Sequence, residues 1–159
     1  MVKKYEFPEN MMTTFERQEY IRLHTKKIAG AQYNIHRTTH DLLVFKKVHV
    51  GRPGKSQHAV ANLIIPAGSV VRLPAYYDSK CRADKAFVHS IIRRSDFKEF
   101  DQAFAEHFNS FKYHKGQMAV PVYKFDMENE ECASGIHFFL DIESAYKYWI
   151  SYLRNNDGK

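Results

Sequence analysis

The chain has 159 residues, 44% hydrophobic and 26% charged, and its 24 Lys and Arg against 18 Asp and Glu give a formal net charge of +6. That length and mixture fit one folded domain and exclude a low-complexity or largely disordered chain. Two cysteines exclude a disulfide scaffold, no apolar run approaches the roughly 20 residues of a membrane helix, and the first residues lack the apolar stretch of a signal peptide, so no membrane partner is expected.

The first predicted element is a helix over residues 13–29, with Thr13 or Thr14 as cap, Glu16 in its first turn and Gly30 as its stop. A polar stretch to Asp41 follows, carrying His36 and His40. From Leu42 to Val50 the chain is rich in Val, Leu and Phe and predicts the first core strand. After a loop at 51–55, Val60 to Ile65 predicts a second strand. Pro66-Ala67-Gly68 is a turn signal, and Val70 to Leu73 completes a three-element meander. Tyr76 to Asp84 reads as irregular, and Ala86 to Ile92 as a strand buried on both faces.

Asp96 and Glu99 have capping-box spacing. Phe97, Phe100, Phe104, Phe108 and Phe111 recur at helical intervals, which predicts a second helix with an aromatic core stripe. Met118 to Phe125 predicts an edge strand because Pro121 cannot donate to a ladder. Finally, Cys132 to Leu153 predicts a short strand at Ile136–Leu140, an N-cap at Asp141 and an amphipathic helix burying Ile142, Ala145, Tyr146, Trp149 and Leu153. The expected fold class is α+β, a mixed or antiparallel sheet of about five to six strands with three main helices. Residues 1–40 form an N-terminal helical extension, residues 41–153 the core domain, and residues 154–159 a disordered tail.

Chemical motifs are few. Gly54-Lys55-Ser56 matches the end of a phosphate-binding loop, but position 49 is His49 rather than glycine and an apolar strand follows in place of a helix. His36 and His40 have no third ligand or paired-cysteine pattern beside them, so no metal is expected. Neither is a cofactor. Cys132 and His137 are the candidate catalytic groups, since a nucleophilic thiol needs a positioned base; buried inert packing is the competing explanation. The basic surplus favours a nucleic acid or an acidic protein surface as partner. Tyr76, Tyr77, Lys80 and Arg82 form the local basic and aromatic cluster best suited to stacking on bases.

Two stretches carry a family resemblance. Lys80-Cys81-Arg82-Ala83-Asp84-Lys85-Ala86-Phe87-Val88-His89-Ser90-Ile91 is one; Glu131-Cys132-Ala133-Ser134-Gly135-Ile136-His137-Phe138-Phe139 with the helix after it is the other. Together with Val44 to Val48 and Ile64 to Gly68, they resemble an uncharacterised viral domain family found in bacteriophages, giant viruses and bacteria, sometimes fused to pentapeptide repeats. The resemblance spans roughly residues 42–149 in consistent order. It implies a phage or viral origin, and a place in the host cytoplasm or the virion, but carries no activity.

Gly135-Ile136-His137-Phe138, followed by Ser144-Ala145 and Tyr148, looks like the nicotinamide-pocket segment of ADP-ribosyltransferases. There, an aromatic-lined strand and helix sandwich the ring and a Ser holds its amide. Here His137 stands where a stacking Tyr is expected, and the Ser-Ala pair arrives one residue early. Three functions remain open: a small basic accessory protein that binds nucleic acid or an acidic protein, a diverged NAD-dependent ADP-ribosyltransferase-like enzyme, and a structural component of a particle. The candidate binding residues for the first two are Tyr76, Tyr77, Lys80, Arg82, Gly135, His137, Ser144 and Tyr148.

Overall fold

The computed structural model describes residues 14–31, 34–51, 57–73, 80–105, 111–127 and 134–145. Its longest strands, β3 (Leu42–Val50) and β4 (Gln57–Ile65), pair antiparallel over their full length, from Leu42 opposite Ile65 to Val50 opposite Gln57. Their β-branched content suits a pleated, buried surface. β7 (Ala86–Ile92) joins the far side of β4, with a register shift between Asn62 and Leu63. β8 (Gln102–Ala105), β9 (Lys112–His114) and β10 (Met118–Ala119) complete a six-stranded antiparallel sheet of order β10-β7-β4-β3-β8-β9. The two edge strands, β9 and β10, are consecutive in the chain, so the tight turn between them curls the sheet toward a closed form.

The second sheet has five strands in the order β1-β2-β5-β6-β11: β1 (Thr25–Lys27), β2 (Ile35–Thr38), β5 (Val70–Arg72), β6 (Cys81–Ala83) and β11 (Ile136–Phe138). Gly68, at φ +85°, makes the turn into β5. Just beyond β11, Phe139 bridges to Phe45 by two backbone hydrogen bonds, 2.9 and 2.7 Å long. β8 covers β3 only at Val48 and His49, and Phe139 takes part of the edge left over. The two sheets thereby share one core.

Alternation on β3 decides what goes inside. Leu42, Val44, Val48 and Val50 pack with Ala61, Leu63, Val88, Val71, Cys81, Ala83, Ile136 and Phe138 into the main core. Each fully buried large apolar side chain contributes about 1.5–3 kcal/mol. On the opposite face of the six-stranded sheet, Phe45 and Val60 meet Phe139, Ile142 and Ala145 in a second cluster.

The α+β expectation with three main helices is overturned: the molecule is mostly β, built on two antiparallel sheets. The first helix, α1 (Thr14–His24), stops before a strand rather than at Gly30. The described residues of 96–111 form no helix. The chain turns at 94–96, bridges Ile92 to Glu99, and re-enters the sheet as β8. Strand pairing wins there because Ala103 is wholly buried in the main core, and a helix would withdraw it. The predicted meander also divides, since β5 leaves β3 and β4 for the other sheet. Only Met118–Ala119 of the expected edge strand pairs, and Val120, Val122 and Tyr123 beyond it are exposed. Asp141 does cap a helix over 142–145: its Oδ1 accepts the Ser144 N–H at 2.8 Å, the N-cap to N3 bond. Phe108, Tyr146, Trp149 and Leu153 lie outside the described residues.

Candidate functional site

The two stretches that carry the resemblance lie side by side. β11 pairs with β6, placing His137 opposite Arg82 and Phe138 opposite Cys81, while β5 places Arg72 opposite Arg82 on the other side. Arg72, Arg82 and His137 therefore share one face of the five-stranded sheet. Arg82 is wholly buried, and its Nη1 donates to the carbonyls of Asp126 and Ser134, each at 2.8 Å. The Phe125 ring covers its guanidinium at 5.0 Å.

Gly135 is what lets that segment close. A Cβ there would sit 3.1 Å from both the Arg82 Cβ and a Phe125 ring carbon. Lys80 is buried as well, and Cys81 is wholly buried in the core. His137 is half-buried, and its carbonyl accepts a 3.1 Å hydrogen bond from the Lys46 ammonium. Ser144 gives its hydroxyl to Asp141 Oδ2 at 2.8 Å, so the cap employs it. Tyr76, Tyr77, Cys132 and Tyr148 lie outside the described residues. Strand pairing thus sets Arg82 opposite His137, with Gly135 packed against the Arg82 side chain and the buried Lys80 just ahead of β6.

A second cluster, missed in sequence reading, lies in the connection from β7 to β8; the two strands do not pair with each other, but Ile92 bridges Glu99 to make a short local hairpin, called here the β7–β8 hairpin. Arg93 N–H donates to the Lys98 carbonyl at 2.9 Å, closing a four-residue loop over residues 94–97. Loops of this length are most often built on a type I turn. Phe97 takes a left-handed conformation at φ +59° and is 75% exposed. A bulky residue at positive φ is a backbone outlier, and such outliers concentrate at functional positions.

The loop is braced from inside. Asp96 accepts Arg93 Nε at 2.8 Å, Arg93 Nη2 at 2.6 Å and the Lys98 N–H at 3.2 Å. The Arg93 hydrogen bonds, ahead of the Lys98 backbone bond, hold the Asp96 carboxyl down at about 2. The Arg93 guanidinium and the Lys98 ammonium each stand 5.4 Å from the Phe100 ring centre. On the neighbouring strands Lys112 lies 5.5 Å over Phe104.

Beside this loop is a groove of about 430 Å³ lined by Gln57, His58, Arg93, Arg94 and Ser95. Arg93 Nη1 donates to Gln57 Oε1 across it, and Arg94 Nη2 donates to Glu143 Oε1 at 2.5 Å. His58 pairs across the strands with His49, their ring centres 4.8 Å apart. Burial, then the Lys47 charge, then His49 push the His58 imidazole down to about 4, so it is neutral at pH 7. The signal that could have found this cluster is the Arg93-Arg94-Ser95-Asp96-Phe97-Lys98 run, where cations and an aromatic flank a Ser-Asp turn pair directly after a strand.

Among the described residues, no group of three or more His, Cys, Asp or Glu side chains is placed to hold a metal ion. No helix among them is long and apolar enough to cross a membrane. No curated protein and no solved structure matches the chain. A family model described as a family of unknown function, DUF5758, matches residues 33–145, a span that contains both strand-paired stretches and the β7–β8 hairpin. The chain belongs to this family of unknown function, DUF5758.

Proposed function

We propose that the protein is a binding module for single-stranded nucleic acid, and that the β7–β8 hairpin is its contact surface. One observation carries the reading: Phe97 is 75% exposed at φ +59°, on a loop that also carries Arg94 and Lys98. An exposed apolar ring on a loop that carries cations suits base stacking, which every base permits, while the cations meet the phosphates. The formal charge of +6 favours the same class of partner. The viral or bacteriophage setting implied by the sequence resemblance suits a module of this kind, acting in the host cytoplasm or within a particle.

The test is fluorescence polarisation of a labelled single-stranded oligonucleotide between 50 and 200 mM salt. With Arg94, Lys98 and Lys112 each neutralising one phosphate, log K should fall against log salt with a slope of about −2. Single strands should be preferred to duplex, whose bases cannot reach the ring. Unchanged polarisation at micromolar protein and low salt refutes the reading.

A further inference from the structure

Resting on that reading, we propose that the groove beside the hairpin receives a phosphate monoester, the phosphorylated end of the strand whose terminal base stacks on Phe97. Every lining residue is polar: Gln57, His58, Arg93, Arg94 and Ser95 bring two guanidinium groups, an imidazole, an amide and a hydroxyl to one concavity. Its volume, about 430 Å³, falls in the range of small-ligand sites, roughly 300–1,000 Å³. An internal phosphodiester carries one charge and can be met by a single cation on an open surface. A terminal monoester carries close to a second charge at pH 7 and three outward oxygens, which call for several donors converging from different directions.

Two features show the groove built for such a group. Arg93 is fixed in advance by Asp96 and Gln57, so its planar fork keeps its orientation before any ligand arrives. Arg94 already holds an anionic oxygen, that of Glu143, which reaches over from the helix at 142–145. That carboxylate marks where a phosphate oxygen would sit, and it makes Glu143 a resident competitor. Lys47 is buried, and its charge is felt at His58. Phe97 is two residues beyond Ser95, so a base on its ring lies beside the groove.

The experiment compares one short oligonucleotide in three forms, with a 5′-phosphate, a 3′-phosphate or hydroxyls at both ends, the label on the same internal base in all three. One phosphorylated form should bind at least ten-fold more tightly than the hydroxyl form. Arg94→Gln should bring that ratio close to one, and Glu143→Gln should raise it. Equal affinity of all three forms overturns the groove assignment and leaves the nucleic-acid reading standing, as does a ratio that survives Arg94→Gln. Inorganic phosphate competing as tightly as the strand end overturns the terminus in favour of the free ion. If no oligonucleotide binds, the nucleic-acid reading falls. Titration with a nucleoside monophosphate, followed by NMR of the His58 ring, then decides the groove alone: a saturable shift supports it and no shift overturns it.

Discussion

Phe97 separates a residue kept for folding from one kept for binding. Its ring is 75% exposed, so truncation removes little buried surface. Its backbone sits at φ +59°, a conformation that costs an L-residue with a Cβ about 1–2 kcal/mol. Glycine relieves that cost but loses about 0.5–1 kcal/mol through the freedom of the unfolded chain. Phe97→Gly should therefore leave the protein equally stable or up to about 1.5 kcal/mol more stable, an upward Tm shift of at most about 3–6 °C for a domain of this size.

Phe97→Ala keeps the strain and deletes the ring, so its Tm should hardly move. Both variants should bind single-stranded oligonucleotide roughly 5- to 150-fold more weakly, the loss of one base stack of about 1–3 kcal/mol. Phe97→Trp should retain binding. Differential scanning calorimetry and fluorescence polarisation on the four proteins give both readouts. A fall of several degrees in Phe97→Gly would show that the ring or its backbone supports the fold. Unchanged affinity in Phe97→Ala and Phe97→Gly would remove the stacking role.

Gly135→Ala should destabilise the protein by about 2 kcal/mol, because the new Cβ meets the Arg82 Cβ and Phe125 ring at 3.1 Å with φ at +155°; an unchanged urea midpoint contradicts that packing. Asp141→Ala should cost about 1 kcal/mol through the lost cap, and Asp141→Asn or Asp141→Ser should recover most of it in the same measurement. For His58 the folded value near 4 lies below the ordinary 6.5, so the native state binds fewer protons than the unfolded chain between those limits. Its contribution is complete above pH 6.5 and is lost as pH falls toward 4, on the order of 1 kcal/mol after water screening of a half-open ring. An NMR titration of His58 with a midpoint near 6.5 refutes it, and Lys47→Met should move the midpoint upward.

The strands were legible where burial wrote a pattern. Leu42 to Val50 and Val60 to Ile65 are apolar enough to announce strands, and Pro66-Ala67-Gly68 gives the turn after them. Asp141 stood out because a capping side chain followed by Ile142 and Ala145 is a local signal. The phenylalanines failed as a guide because their spacing imitates a helical stripe while their environments differ. Phe97 is in solvent, Phe100 is half-buried beneath two cations, and Phe104 lies on β8. Asp96 compounded the error. Its carboxylate does accept a backbone N–H ahead of it, that of Lys98 two residues on, as in a turn rather than a helix cap.

The pairing of Arg82 with His137 spans 55 residues and no local pattern encodes it, although the resemblance named both stretches. The burial of Lys80 and Arg82 was equally hidden, since cations buried beneath carbonyls and an aromatic ring look like surface residues in one dimension. The candidate interface fell in the same blind spot. In one dimension Arg93 and Arg94 are one basic pair among several, and only the folded chain sets them beside His58 in a groove.

If the β7–β8 hairpin touches nucleic acid, photocrosslinking will trap that contact. A single-stranded oligonucleotide carrying a photoreactive pyrimidine would be irradiated with the protein, digested, and mapped by mass spectrometry. The dominant crosslinked peptide should contain Phe97, and the adduct should disappear in Phe97→Ala. Crosslinks confined to peptides lacking residues 93–100, or an adduct undiminished in Phe97→Ala, would contradict it.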